Sequence, residues 1–279
     1  MTAAAEEYPP AQHVLRDLRL AAEHRPDDTS SAWIPVPEQV CGESGAPLAG
    51  VLATLVDAVG GGLAALAARP DWIATSDLTL HLLPRRVAGD VEATGRVLRR
   101  GRTTVVLEAT LSDTEGDAAL GVATVSFAVL PRRDGNPVID QSGPVSRMGM
   151  GVPGSGFTEP LLDRIGLRVL DAAAGVLELP RDDYVRNTLG AIQGGMMATI
   201  AEQAAAHALR AACSAPVETV DLQLTFLALG RAGPVRSRAR VLAATPDFGT
   251  AHVELVDTGA DERVTTIARV VAARPADTT

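Results

Sequence analysis

A chain of 279 residues with 46% hydrophobic content can bury a substantial core, which excludes an intrinsically disordered protein. Its formal net charge of -9 is spread over short runs and argues against general binding to nucleic acid or an anionic membrane. Aromatic residues are only 3%, so a core of Ala, Val and Leu and an aliphatic pocket lining are expected.

Residues 1–12, MTAAAEEYPPAQ, are polar and proline-containing and read as a flexible end without a secretion signal. No apolar run approaches the ~18 residues of a spanning helix. Cys41 and Cys213 share no metal or redox spacing, so a reducing, cytoplasmic setting is expected. His13 to His24 carries Val14, Leu15, Leu18 and Leu20 at near-helical spacing and reads as a short surface helix. Asp27 to Gly45 is rich in turn residues, with Trp33 and Ile34 as a short strand.

From Ala49 to Ala68 the pattern is apolar almost all round, which predicts a buried helix. Gly60, Gly61 and Gly62 would each cost ~1 kcal/mol relative to Ala within it, so another element must approach closely there. Four strands are predicted next: Ile73 to Leu82, Val91 to Leu98, Thr103 to Ser112 and Ala118 to Val129. A buried helix followed by an antiparallel meander is an α+β unit.

Residues 131–157, rich in Pro, Gly, Ser and Arg, read as a linker. The unit then begins again. A short helix Pro160 to Ile165, a strand-like Leu167 to Leu179 and a second buried helix from Gly194 precede strands near Thr219 to Leu229, Val235 to Leu242, Thr250 to Val256 and Val264 to Ala272. The halves align through their core: Pro35 falls on Pro180, Gly45 on Gly190, Gly50 on Gly195 and Thr54 on Thr199, all 145 positions apart, and farther on the offset is 144, with Thr75 on Thr219 and Asp77 on Asp221. Two such long units predict a fused pseudo-dimer, with one repeat at 13–130, another at 158–275 and a flexible C-terminus at 276–279.

The second half resembles the hot-dog thioesterases of the phenylacetate-pathway (PaaI) type. Their signature is Asn or Gln, five residues, His-Gly-Gly, and an Asp or Glu nine positions after the His. Asn187, Gln193-Gly194-Gly195 and Glu202 stand at that spacing here. The strand starts at Thr219 and in ATSDLTLHLLP, and the hairpin LRRGRTTVVLEATLSD, are similar to the family as well. The resemblance implies a double hot-dog, in which each tandem repeat wraps an antiparallel sheet around a buried central helix. It also implies hydrolysis of acyl-CoA or acyl-carrier thioesters. Coenzyme A then enters only as part of the substrate, and no metal or redox cofactor is implied. Gln193 replaces the family's His, which removes a proton donor and keeps hydrogen bonding. The first half keeps a carboxylate, Asp57, where the second has Glu202, but has Gly42, Leu48 and Ala49 where the second has Asn187, Gln193 and Gly194.

Thioester hydrolysis needs a polarised carbonyl and a base or carboxylate nucleophile. A free N–H at a helix start can supply the first, and Gly194 leaves room for approach. Glu202 lies ~12 Å farther along the same helix, too far to share a carbonyl with Gly194, because reacting groups must meet within ~3 Å. The carboxylate at each centre must therefore come from the helix of the other half. One centre would join Asp57 and Thr75 to Asn187, Gln193, Gly194 and the substrate-contacting Gly195, and is expected to be active. The other would join Glu202 and Thr219 to Gly42, Leu48 and Ala49, and is expected to be degenerate or to bind only. Arg99, Arg100 and Arg102 suit a solvated turn better than coenzyme A phosphates. A non-catalytic acyl-carrier binding protein is the alternative reading and a hot-dog dehydratase or hydratase the third, while reassociation into homo-oligomers through sheet edges stays open.

Overall fold

The computed structural model describes residues 8–274 other than 26, 117, 133–145 and 214–215. Helix α2 (Ala49–Ala67) has Val51, Leu55, Val56 and Val59 fully covered. It packs against the strands β2 (Thr29–Ile34), β3 (Trp72–Leu82), β4 (Val91–Arg100), β5 (Thr104–Asp113) and β6 (Ala118–Leu130). The expected close approach occurs at the glycines: a Cβ on Gly60 would stand 2.7 Å from Val125 Cγ1, and one on Gly62 2.1 Å from the His24 ring. By length and composition α2 could cross a bilayer, which corrects the expectation that no run comes near that length. Its apolar surface is accounted for by burial in the core.

The second half repeats this order. Helix α4 (Gly194–Cys213) packs against β9 (Val176–Leu179), β10 (Glu218–Phe226), β11 (Val235–Thr245), β12 (Phe248–Asp257) and β13 (Arg263–Ala273). Together with β1 (Ala21–His24), β7 (Ser146–Gly149) and β8 (Arg168–Asp171), these strands form one 13-stranded sheet among the described residues, ordered β7-β1-β2-β4-β5-β6-β3-β10-β13-β12-β11-β9-β8. At its seam β3 and β10 pair antiparallel, with Thr79 facing Gln223, its counterpart 144 positions on. Irregularities recur as well as strands. The ladders are interrupted between Thr75 and Asp77 and between Thr219 and Asp221. Asp113 accepts from the amides of Ala88 and Gly89, and Asp257 does the same for Ala232 and Gly233. Such loop carboxylates satisfy amides that no ladder reaches.

Four further expectations need correction. His13 to His24 is not one helix: α1 (Val14–Asp17) stops where Arg19 takes a left-handed φ of 49°, and β1 (Ala21–His24) follows. Leu167 to Leu179 is likewise two strands, β8 (Arg168–Asp171) and β9, after α3 (Leu161–Arg164). The stretch read as a linker contributes β7 (Ser146–Gly149), which pairs with β1, while 133–145 lies outside the described residues. At the N-terminus, Tyr8 to Pro10 do not trail as a flexible end, because the Arg16 side chain donates to the carbonyls of Pro9 and Pro10. Residues 1–7 and 275–279 also lie outside the described residues.

Candidate active site

Each central helix is launched by the same loop. Gly42 N donates to Ala46 O at 2.8 Å and Asn187 N to Ala191 O at 2.7 Å. Leu48 N donates to Val40 O at 3.0 Å and Gln193 N to Val185 O at 2.8 Å. Gly45 and Gly190 turn these loops at φ 83° and 76°, a left-handed conformation that glycine takes without strain. The loop amides are used up this way. The first amides of the helix are not.

The helices run antiparallel at very close range. A Cβ on Gly50 would fall 2.5 Å from Thr199 Cα, and one on Gly195 2.7 Å from Thr54 Cα. Gly195, expected to contact substrate, is therefore placed in the helix crossing. The crossing brings each helix's carboxylate to the start of the other helix.

The two ends differ. Glu202 Oε1 accepts from Ala49 N at 2.8 Å and Oε2 from Gly50 N at 2.9 Å, so it caps α2 in place of Leu48, which offers no side-chain cap. Asp57 accepts from Thr75 Oγ1 at 2.7 Å through Oδ1, and its Oδ2 would stand 3.2 Å from a methyl group added to Gly194. Among the described residues no acceptor holds the Gly194 or Gly195 N–H. Burial pushes Asp57 up to about 6, opposed by the Thr75 hydroxyl. Burial also pushes Glu202 up to about 7, against the two amide hydrogen bonds.

Asp57, Thr75, Asn187, Gln193 and Gly194 line one cavity of about 360 Å³ between the halves. Glu202 and Thr219 line another of about 600 Å³ with Gly42, Leu48 and Ala49. The sequence pairing of residues across halves is thus the pairing seen in space. Asn187 spends its Oδ1 on the amides of Leu189 and Ala191, which shapes the loop. Gln193 is 6% exposed and its Oε1 is buried without a partner. An unpaired buried oxygen costs about 1–3 kcal/mol, a cost that a group donating a hydrogen bond to it, such as water, would remove. Arg100 pairs with Asp28 at an exposed turn. Among the described residues no three His, Cys, Asp or Glu side chains form a metal-holding group.

Two features were not read from the sequence. Thr266, fully covered, also lines the Asp57 cavity with an unpartnered hydroxyl, and nothing in VTTIARV sets it apart from an ordinary strand threonine. The expected aliphatic lining is corrected too, since Trp72, Phe127 and Phe226 line this cavity and no Phe, Tyr or Trp lines the other. A bulk percentage carries no information on where so few rings gather.

The thioesterase superfamily model matches the chain twice, at residues 49–119 and 189–264, together just over half of its length. No curated protein matches the sequence significantly. Among solved structures, an oleoyl thioesterase (putative) from Lactobacillus plantarum is similar at 10% identity, with a TM-score of 0.60 over 89% of this chain and 97% of its own. An acyl-ACP thioesterase from Bacteroides thetaiotaomicron is 11% identical, with a TM-score of 0.57 over 88% of this chain and 98% of its own. A putative thioesterase II from Thermobifida fusca is 20% identical, with a TM-score of 0.56 over 87% of this chain and 91% of its own. At such identities these likenesses establish the fold alone. The twofold family match carries the chemistry: the chain belongs to the thioesterase superfamily, has the hot-dog fold and is a thioester hydrolase.

Proposed function

We propose that this protein hydrolyses acyl-CoA thioesters at one composite centre, formed by Asp57 and Thr75 of the first half and Asn187, Gln193 and Gly194 of the second. In this reading the chain is a fused double hot-dog of PaaI type, with repeats at 13–130 and 158–275 joined by residues 131–157, which add β7 to the sheet beside β1. One observation carries it: the Gly194 amide is open beside Asp57, whereas Glu202 fills the matching place at the other end.

The thioester carbonyl oxygen would accept from the Gly194 N–H at the positive end of α4, with Gln193 holding the thioester. Asp57, oriented by Thr75, takes a proton from water as the water oxygen bonds to the carbonyl carbon. Collapse of the tetrahedral intermediate breaks the C–S bond, and Asp57 returns the proton to the leaving thiolate. The products are a carboxylic acid and a free thiol. Trp72, Phe127 and Phe226 offer apolar walls to the acyl group.

The test compares Asp57→Asn with Glu202→Gln on a panel of acyl-CoA substrates by thiol release. Asp57→Asn is expected to lose about two orders of magnitude or more in kcat, in the range of general-base catalysis, and Glu202→Gln to stay active. Loss confined to Glu202→Gln overturns the assignment.

A further inference from the structure

We propose that the amino-terminal segment supports the reaction centre, with His13 and Tyr8 as positioning residues that latch the Asn187 loop from the other half of the chain. The inference rests on the Asp57 centre being the active one. His13 is fully buried at the start of α1. Its Nδ1 accepts from Leu15 N at 3.1 Å, and its Nε2 lies 2.8 Å from the Arg186 carbonyl oxygen. A carbonyl can only accept, so Nε2 carries the proton and the ring is held as one neutral tautomer. The Tyr8 hydroxyl donates to the same carbonyl at 3.3 Å, and its ring meets the imidazole edge-on with centroids 5.2 Å apart.

Arg186 immediately precedes Asn187 and bridges to Ile192, which closes the loop that launches α4. The grip continues on its other side. Val14 N donates to Tyr184 O at 3.0 Å, and Tyr184 OH donates to Asp17 Oδ2 at 2.8 Å. The Asn187 loop is therefore held from outside its own half at two successive points.

Among the described residues the second half lacks this device. Its counterpart helix, α3, starts after Pro160, which has no side chain able to cap or donate. Among the described residues no side chain donates to the Cys41 carbonyl, the counterpart of that of Arg186. A purely architectural bond would be as useful at either loop. Among the described residues it is found only at the centre with open amides.

The latch also has a defined chemical limit. A second proton on Nδ1 would face the Leu15 N–H donor against donor; burial and the charges of Arg16 and Arg186 oppose it, while the hydrogen bond to the Arg186 carbonyl and the charge of Asp17 favour it. The neighbouring Tyr8 hydroxyl stays protonated because burial and Asp57 raise its pKa. Burial is the largest influence on His13 and lowers its pKa.

The test uses His13→Asn and Tyr8→Phe in the full chain. Asparagine keeps the cap on α1 but is too short to reach Arg186, so folding should survive. A loop displaced by a fraction of an ångström is expected to cost His13→Asn about tenfold in kcat with KM little changed, and Tyr8→Phe a few-fold. Wild-type kcat should fall on the acid side more steeply than one ionisation allows, and the His13→Asn profile should fit one. If His13→Asn does not fold, Tyr8→Phe decides alone. Unchanged kcat in the folded variants, with Asp57→Asn inactive, overturns the latch and leaves the centre standing. An active Asp57→Asn overturns the reading of the centre itself.

Discussion

Asp57 and Glu202 occupy matching places on two antiparallel helices, yet only Glu202 reaches the first amides of the helix it faces. The difference is one methylene. The longer side chain bridges to Ala49 and Gly50, and the shorter one stops at Thr75 and leaves Gly194 free. An occupied amide pair cannot polarise a carbonyl, so in the proposed mechanism one end serves as a staple and the other as the reaction centre.

Removing the staple should therefore cost stability before it costs activity. Glu202→Ala leaves the two buried amides of Ala49 and Gly50 at the start of α2 without their acceptors. A loss of about 1–3 kcal/mol in urea unfolding is expected, with thiol-release kinetics at the Asp57 centre within a few-fold of wild type. A fall in kcat as large as that of Asp57→Asn, with stability unchanged, would contradict the division.

The proposed base must be ionised to act, and burial pushes Asp57 up to about 6. The rate kcat/KM is expected to rise with pH and level off above about 6, a limb that Asp57→Asn should lack. Stability runs the other way. Because the folded group holds its proton more tightly than the unfolded one, its contribution is complete below the unfolded value near 3.8 and is lost as pH rises through about 6. Unfolding curves of wild type and Asp57→Asn between pH 4 and 7 should diverge in that sense.

Adjacent glycines should fail differently. Gly194→Ala puts a methyl group 3.2 Å from Asp57 Oδ2, a tight but tolerable contact inside the centre, and is expected to reduce kcat/KM by about tenfold or more with little change in melting. Gly195→Ala drives its methyl to 2.7 Å from Thr54 Cα, where two backbones cross, and is expected to destabilise by about 1–3 kcal/mol or more. Parallel melting and kinetic measurements on the pair separate site from scaffold.

Much of this was legible in the sequence because it is written in backbone requirements. Gly45 and Gly190 mark the same left-handed turn, Gly50 and Gly195 the same crossing, and the spacing from Gly194 to Glu202 alone demands that a carboxylate arrive from another helix. What was not legible depends on reach between elements distant in sequence. The cap formed by Glu202 follows from one methylene measured across a helix crossing. The bond from His13 to Arg186 spans 173 positions, and Thr266 becomes an orphan only once β13 is laid beside the cavity. Periodicity also merged α1 with β1, since Leu18 and Leu20 are buried on either side of a turn that Arg19 makes.

The seam between β3 and β10 has a further implication. Two identical chains joined along such a seam would display every substitution twice, once at each end of the paired helices. In a single polypeptide, position 57 and position 202 are inherited separately. One end could then lengthen its acid into a structural bond and the other keep a short one for the proposed chemistry, a division of labour closed to any symmetric pair.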